Sequence, residues 1–111
     1  MQLESTMQGT TLVIRALDDR IDAAAAIQFK ERMRDLTAVP SARVILDLAR
    51  VHFLDSSGLG AVVAVMKLLA PDRPLELAGL TPTVEKVFRL TRMDTIFTIH
   101  RGLEAGLRQA G

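Results

Sequence analysis

From Leu59 to Leu69 the chain is apolar except for Lys67, so a helix formed there has no polar face to give to water. The run is too short to cross a bilayer, which takes about 20 apolar residues. It must therefore be covered by a sheet of the same chain, alone or together with a partner. The segment is introduced by Asp55-Ser56-Ser57-Gly58. Asp and Ser are residue types that cap helix N-termini, and Gly allows a tight turn. The rest of the chain has to supply the cover.

Thr10–Leu17 is rich in β-branched residues and bounded by Gly9 and Asp18-Asp19, the pattern of a strand. Leu3–Met7 can pair with it across Gln8-Gly9 as an N-terminal hairpin. Asp22 is a good N-cap, and Ala26, Phe29, Met33 and Leu36 then recur at helical spacing up to a stop before Pro40. Arg43–Leu48 is short and mostly apolar, as a strand buried on both faces would be. A second apolar patch, Val51–Leu54, leads into Asp55. After the Pro71–Pro74 turn, Leu75–Ala78 reads as a strand. Thr81-Pro82 starts a helix with Thr as N-cap and Pro at its first position, placing Val84, Val87, Phe88 and Thr91 on one face. Thr95–His100 alternates as a strand, and Leu103–Gln109 closes the chain as a helix.

Strands alternating with helices predict an α/β fold: a mixed, mostly parallel sheet of four to five strands, with an N-terminal hairpin and about four helices, in a single domain over residues 1–111. In such sheets functional groups collect beyond the carboxyl ends of the parallel strands. Here those loops carry Asp18, Asp19, Asp22, Asp55, Ser56, Ser57 and Gly79.

Several functions are excluded by what the sequence lacks. Fourteen Lys+Arg against thirteen Asp+Glu leave a formal charge of +1, without the basic cluster that phosphate-backbone binding needs, so no nucleic-acid partner is expected. With no Cys and two isolated His, neither a metal site nor a thiolate nucleophile is expected. The N-terminus has neither a basic start nor a long apolar run, and the expected compartment is the cytoplasm. A nucleophile elbow needs Gly two residues before its serine, but Leu54 precedes Ser56 at that distance and Asp55 precedes Ser57. Gly58-Leu59-Gly60 lacks the Lys-Ser/Thr of a P-loop. Asp18, Asp19 and Asp47 could form the acidic trio of a phospho-Asp receiver, but no lysine follows the late strands.

What remains is the Asp-Ser-Ser-Gly helix start. Free N–H groups at a helix N-terminus attract phosphate. A phosphoserine there would carry about −1.5 to −2 charges beside Asp55 and Asp22, which suits the breaking of a docked complex. The same residues also serve as ordinary caps.

The stretch Asp47-Leu48-Ala49-Arg50-Val51-His52-Phe53-Leu54-Asp55-Ser56-Ser57-Gly58-Leu59-Gly60 resembles the strand, loop and helix start of the STAS domain family, specifically its single-domain anti-sigma factor antagonists. Ile21-Asp22, Thr81–Phe88 and Met93–Phe97 are similar to further family segments in the same order. The chain departs from the family at Asp19, where glycine is common. The resemblance implies a STAS-like fold and phosphorylation at Ser57 by a serine kinase that is itself the anti-sigma factor. It also implies a partner-binding surface of Asp22, Asp55, Ser56, Ser57, Gly58 and Leu59. Unphosphorylated protein would sequester the kinase and free a sigma factor. The kinase brings ATP and Mg²⁺, so the chain is expected to need no cofactor and to be no enzyme. The alternatives are a STAS accessory subunit docked on a lipid-transport ABC ATPase and a receiver-like module. Oligomeric state is left open.

Overall fold

β1 (Leu3–Gln8) and β2 (Thr11–Ala16) form the expected antiparallel hairpin, with Leu3 opposite Ala16 and Gln8 opposite Thr11. The turn uses Gly9 at φ +62°, a backbone conformation that suits glycine. The computed structural model describes residues 1–109; Ala110 and Gly111, the end of the expected 1–111 unit, lie outside the described residues. Onto β2 are added β4 (Arg43–Asp47), β6 (Leu75–Ala78) and β7 (Thr98–His100), all parallel, giving the order β1-β2-β4-β6-β7. Helices α1 (Ala23–Leu36), α2 (Ser56–Leu69), α3 (Pro82–Leu90) and α4 (Leu103–Arg108) complete the mixed α/β architecture.

Register puts Ile14, Leu46 and Leu77 abreast on one sheet face, with Leu12, Val44 and Leu75 one step behind. These side chains belong to the same core as Phe29 and Met33 of α1 and Val62 and Val65 of α2. Phe88 of α3 meets Phe97 edge to face, with ring centroids 5.7 Å apart.

One feature is added to the expected fold and two expectations are corrected. Arg20–Ile21 (β3) and Phe53–Leu54 (β5) form a separate two-stranded parallel sheet. Strands of two residues show no alternation by which to find them. Thr95–His100 is not all strand: Met93–Thr95 makes a 3₁₀ turn, Ile96 is exposed, and only Thr98–His100 pairs with β6. Thr81 precedes α3 as expected, but its hydroxyl donates to the Val51 carbonyl at 2.7 Å and makes no cap bond.

The apolar helix α2 also solves its exposure problem differently. Ala61, Val62, Val65 and Leu69 are buried, whereas Ser56, Ser57, Gly60, Ala64 and Lys67 take the outward positions. Small residues there limit the exposed apolar surface, and Leu68 is the single large apolar side chain of α2 that stands out.

The opposite sheet face, under α4, carries an ionic cluster that sequence reading missed. Glu76 is only 6% exposed. Its carboxylate accepts from Arg43 Nε at 2.9 Å and Nη2 at 2.6 Å, and lies 2.7 Å from His100 Nε2. Arg43 also donates to the carbonyls of Gly106 at 2.9 Å and Gln109 at 3.0 Å, which fastens α4 to the sheet. Hydrogen bonding from Arg43, above all, and from His100 holds the Glu76 carboxyl below the usual carboxylate range, although burial pushes the other way.

A carboxyl whose pKa is depressed on folding contributes stability that is full above the ordinary glutamate pKa and is lost as pH falls through the lowered folded value. Removing one partner of a buried ion pair leaves the other uncompensated and costs about 3–5 kcal/mol. Glu76→Ala is therefore expected to lose about that much stability at neutral pH, with the gap to wild type closing in acid. Urea unfolding across pH 3–8 checks this; a gap that is the same at every pH contradicts it.

Candidate functional site

β3 and β5 lie side by side, Arg20 opposite Phe53 and Ile21 opposite Leu54, and each strand is followed at once by an aspartate and a helix. The N-termini of α1 and α2 therefore emerge together. Asp22 caps α1, its Oδ1 accepting from Ala25 N–H at 3.2 Å. Asp55 caps α2, its Oδ1 accepting from Gly58 N–H at 2.8 Å. The second oxygen of Asp55 accepts from Ala23 N–H, the first donor of α1, at 3.1 Å. One carboxylate thus satisfies orphan donors of two helices.

The strand and helix approach most closely at Gly58, where a Cβ would lie 2.0 Å from the Ile21 carbonyl oxygen. Gly58 is buried, so its expected place on a partner-facing surface is corrected: it is a packing residue that lets α2 sit against β3. Leu59 is half-buried against the core. Ser56 and Ser57, the first two residues of α2, are exposed. The N–H groups at these positions have no preceding helical turn to bond to, and they face water or a ligand.

Charge at the site is organised by Arg20. Its Nε lies 3.0 Å from Asp22 Oδ2, and its guanidinium stands 4.5 Å from the centre of the Phe53 ring. The Arg20 hydrogen bond, with backbone N–H bonds from Ala25 and Ala24, holds the Asp22 carboxyl below the usual carboxylate range. Phe53 is 40% exposed, an aromatic ring at the surface under a cation. Neither residue was singled out from sequence. The one available signal was their position, each two residues ahead of a capping aspartate.

Asp19 ties this corner together. Its carbonyl accepts from His52 N–H at 2.7 Å and from Phe53 N–H at 3.3 Å, and its Oδ1 lies 3.0 Å from His52 Nδ1. Among the described residues only Arg92 has a positive φ without being glycine, so Asp19 needs no left-handed backbone. Asp18 instead accepts from Gln2 N–H at 3.3 Å, and Gly79 packs against Ala49. Asp47 lies 3.5 Å from Arg15 and accepts from Ala49 N–H. Among the described residues no three His, Asp or Glu side chains are grouped to hold a metal ion, so Asp18, Asp19 and Asp47 do not make a receiver-like trio.

Residues 2–106 match the STAS domain family. The chain is 30% identical over 95 residues to BtrV of Bordetella bronchiseptica, a candidate anti-sigma factor antagonist, covering 85% of this chain and 82% of that protein. The solved structure of the anti-sigma factor antagonist SpoIIAA in its unphosphorylated form is similar at a TM-score of 0.75 and 25% identity, over 96% of this chain and 93% of that one. The fold is also that of an anti-sigma factor antagonist from Mycobacterium paratuberculosis, at a TM-score of 0.85 and 21% identity, covering 96% and 90% of the two chains.

The two glycines of α2 are expected to behave oppositely on substitution. Gly58→Ala must displace backbone at Ile21, and overpacking of this kind costs about 1–3 kcal/mol or more. Gly60→Ala meets nothing within 4 Å and gains up to about 1 kcal/mol of helix propensity. Chemical denaturation of both variants measures the contrast, and equal effects would contradict the close approach of α2 and β3.

Proposed function

The chain belongs to the STAS domain family, and on that premise we propose that it is an anti-sigma factor antagonist, a protein-binding switch operated by phosphorylation of Ser57. The observation that carries this reading is the exposed Ser57 at the open N-terminus of α2, next to the aspartate that caps both helices. In the unphosphorylated state the surface of Asp22, Asp55, Ser56, Ser57 and the exposed edge of Leu59, extended by Arg20 and Phe53, docks on an anti-sigma factor with serine kinase activity. The sigma factor is thereby released.

Phosphorylation adds about −1.5 to −2 charges at Ser57. In the free protein the first-turn N–H groups and the helix dipole accommodate that charge locally. In a complex it must be desolvated beside Asp55 and beside Asp22, which Arg20 keeps ionised. Like charges brought together at an interface cost several kcal/mol, and the complex separates. The existence of SpoIIAA structures in unphosphorylated and phosphorylated forms supports this chemistry within the family. ATP and Mg²⁺ belong to the kinase in this scheme, and the chain itself catalyses nothing. In this scheme it acts as one domain in the cytoplasm, where a sigma factor works.

Ser57→Ala is expected to bind the kinase as wild type does and to resist phosphorylation. Ser57→Asp is expected to bind at least about 100-fold more weakly, while its unfolding free energy changes by under about 1 kcal/mol, the scale of a helix-end charge. Calorimetric titration of both variants against the kinase, with melting curves, tests this. Equal affinities would mark a constitutive docking subunit in place of a switch.

A further inference from the structure

The five-stranded sheet ends on β1, which pairs with β2 alone, in an unbroken register from Leu3 opposite Ala16 to Gln8 opposite Thr11. Successive residues of a strand turn their N–H and C=O groups to opposite edges. The Thr10 carbonyl accepts from Ala42 N–H at 2.8 Å, on the β4 side of β2, and Leu17 N–H donates to the Gln2 carbonyl at 3.0 Å, on the β1 side. Counted from either bond, Glu4, Thr6 and Gln8 turn their backbone groups to β2, whereas Leu3, Ser5 and Met7 turn theirs away from the sheet. The start of this outer edge is covered, because the Leu3 carbonyl accepts from Arg32 Nη2 of α1 at 3.3 Å. Beyond it, among the described residues, the N–H and C=O groups of Ser5 and Met7 have no hydrogen-bond partner.

An open strand edge is a template for another strand, and proteins that stay single guard it with lysine, proline, a bulge or a covering element. The stretch Ser5–Gln8 has none of these. All four residues are exposed, none is charged or proline, the pairing with β2 has no bulge, and the contact from α1 is to Leu3. Glu4 is the one charge of β1.

We propose that the outer edge of β1 pairs with β1 of a second copy of this chain, antiparallel about a two-fold axis through Thr6, so that the sheet continues across a dimer. The open groups select this partner because they are complementary to themselves. With Thr6 on the axis, Ser5 lies opposite Met7 of the second copy and Met7 opposite its Ser5, and the two pairs exchange bonds that satisfy every open group of both residues. Glu4 then stands opposite Gln8, so no like charges meet. Met7, 42% exposed, lies diagonal to its own counterpart. An axis through Ser5 would instead require the Leu3 carbonyl, which Arg32 occupies. The edge shares no residue with the surface of Asp22, Asp55, Ser56 and Ser57, so the inference does not depend on the switch.

Sedimentation of the full chain up to millimolar concentration is expected to show its mass moving from one chain towards two. Hydrogen exchange should then slow at the Ser5 and Met7 amides as concentration rises, while the Thr6 amide, bonded to β2, is protected throughout. The Ser5 N–H bonds to nothing within the chain, so Ser5→Pro removes only the donor that the second copy needs and is expected to abolish the dimer. Met7→Lys is expected to weaken it about 10-fold or more by placing two cations near each other, and it decides alone should Ser5→Pro not fold. The register has its own readout. Across the axis the Thr6 Cα atoms stand about 4.5 Å apart, within disulfide reach, and the chain has no Cys of its own. Thr6→Cys is therefore expected to cross-link on oxidation, and Glu4→Cys, four residues out of step with its counterpart, is not. A single chain at every concentration overturns the inference. So does a dimer that the edge variants leave intact, or one in which Thr6→Cys cross-links no faster than Glu4→Cys.

Discussion

The carboxylate of Asp55 is the point on which the working end of this molecule depends. Its two oxygens accept from the first turn of α2 and from the first N–H of α1. Each bond is worth about 1 kcal/mol as a cap, but the pair has a geometric effect beyond its energy. It fixes two helix N-termini to one another, and the approach is completed by Gly58 beneath the Ile21 carbonyl. With the starts of α1 and α2 pinned and their inward faces sharing Phe29, Met33, Val62 and Val65 in one core, the seam between them is set along its length. The same aspartate therefore holds the fold together and presents Ser57.

The two faces of the sheet are held by different physics. On one, aliphatic and aromatic side chains pack under three helices, and the stabilisation scales with apolar area removed from water. On the other, a single short helix is fastened by Arg43, Glu76 and His100, which bond to each other and to the carbonyls of α4. Buried ions contribute little net stability because desolvation offsets their attraction. What the cluster supplies is direction: the Arg43 donors fit the carbonyls of Gly106 and Gln109. Gly106 lies so close to the His100 ring that a Cβ there would sit 2.9 Å from it. The paired helix N-termini at Asp22 and Asp55 and the ionic cluster of Arg43, Glu76 and His100 share no residue.

Elements carried by local pattern were legible in the sequence. The hairpin followed from β-branched residues around a glycine, α1 from apolar spacing behind Asp22, α3 from Thr81-Pro82, and the start of α2 from Asp55-Ser56-Ser57-Gly58. The surface position of Ser57 was implicit there too, since a residue in the first turn after a cap has free N–H groups whatever it packs against. Periodicity could equally mislead. Thr95–His100 alternates as a strand should, but Phe97 is drawn in against Phe88 and the residues before it close into a 3₁₀ turn.

By itself the sequence determined the order and type of the main elements, the capping of both helices and the exposed serine, because each is decided by residues within a few positions of one another. Tertiary structure alone decided the rest. Asp55 could be seen to cap its own helix, but not to reach Ala23, 32 residues earlier. Arg20 and Phe53 meet only because two-residue strands far apart in the chain pair with each other, and Glu76 meets Arg43 and His100 only when three parallel strands come into register. In each case the partner is chosen by chain geometry over long separations, where no local period records the contact.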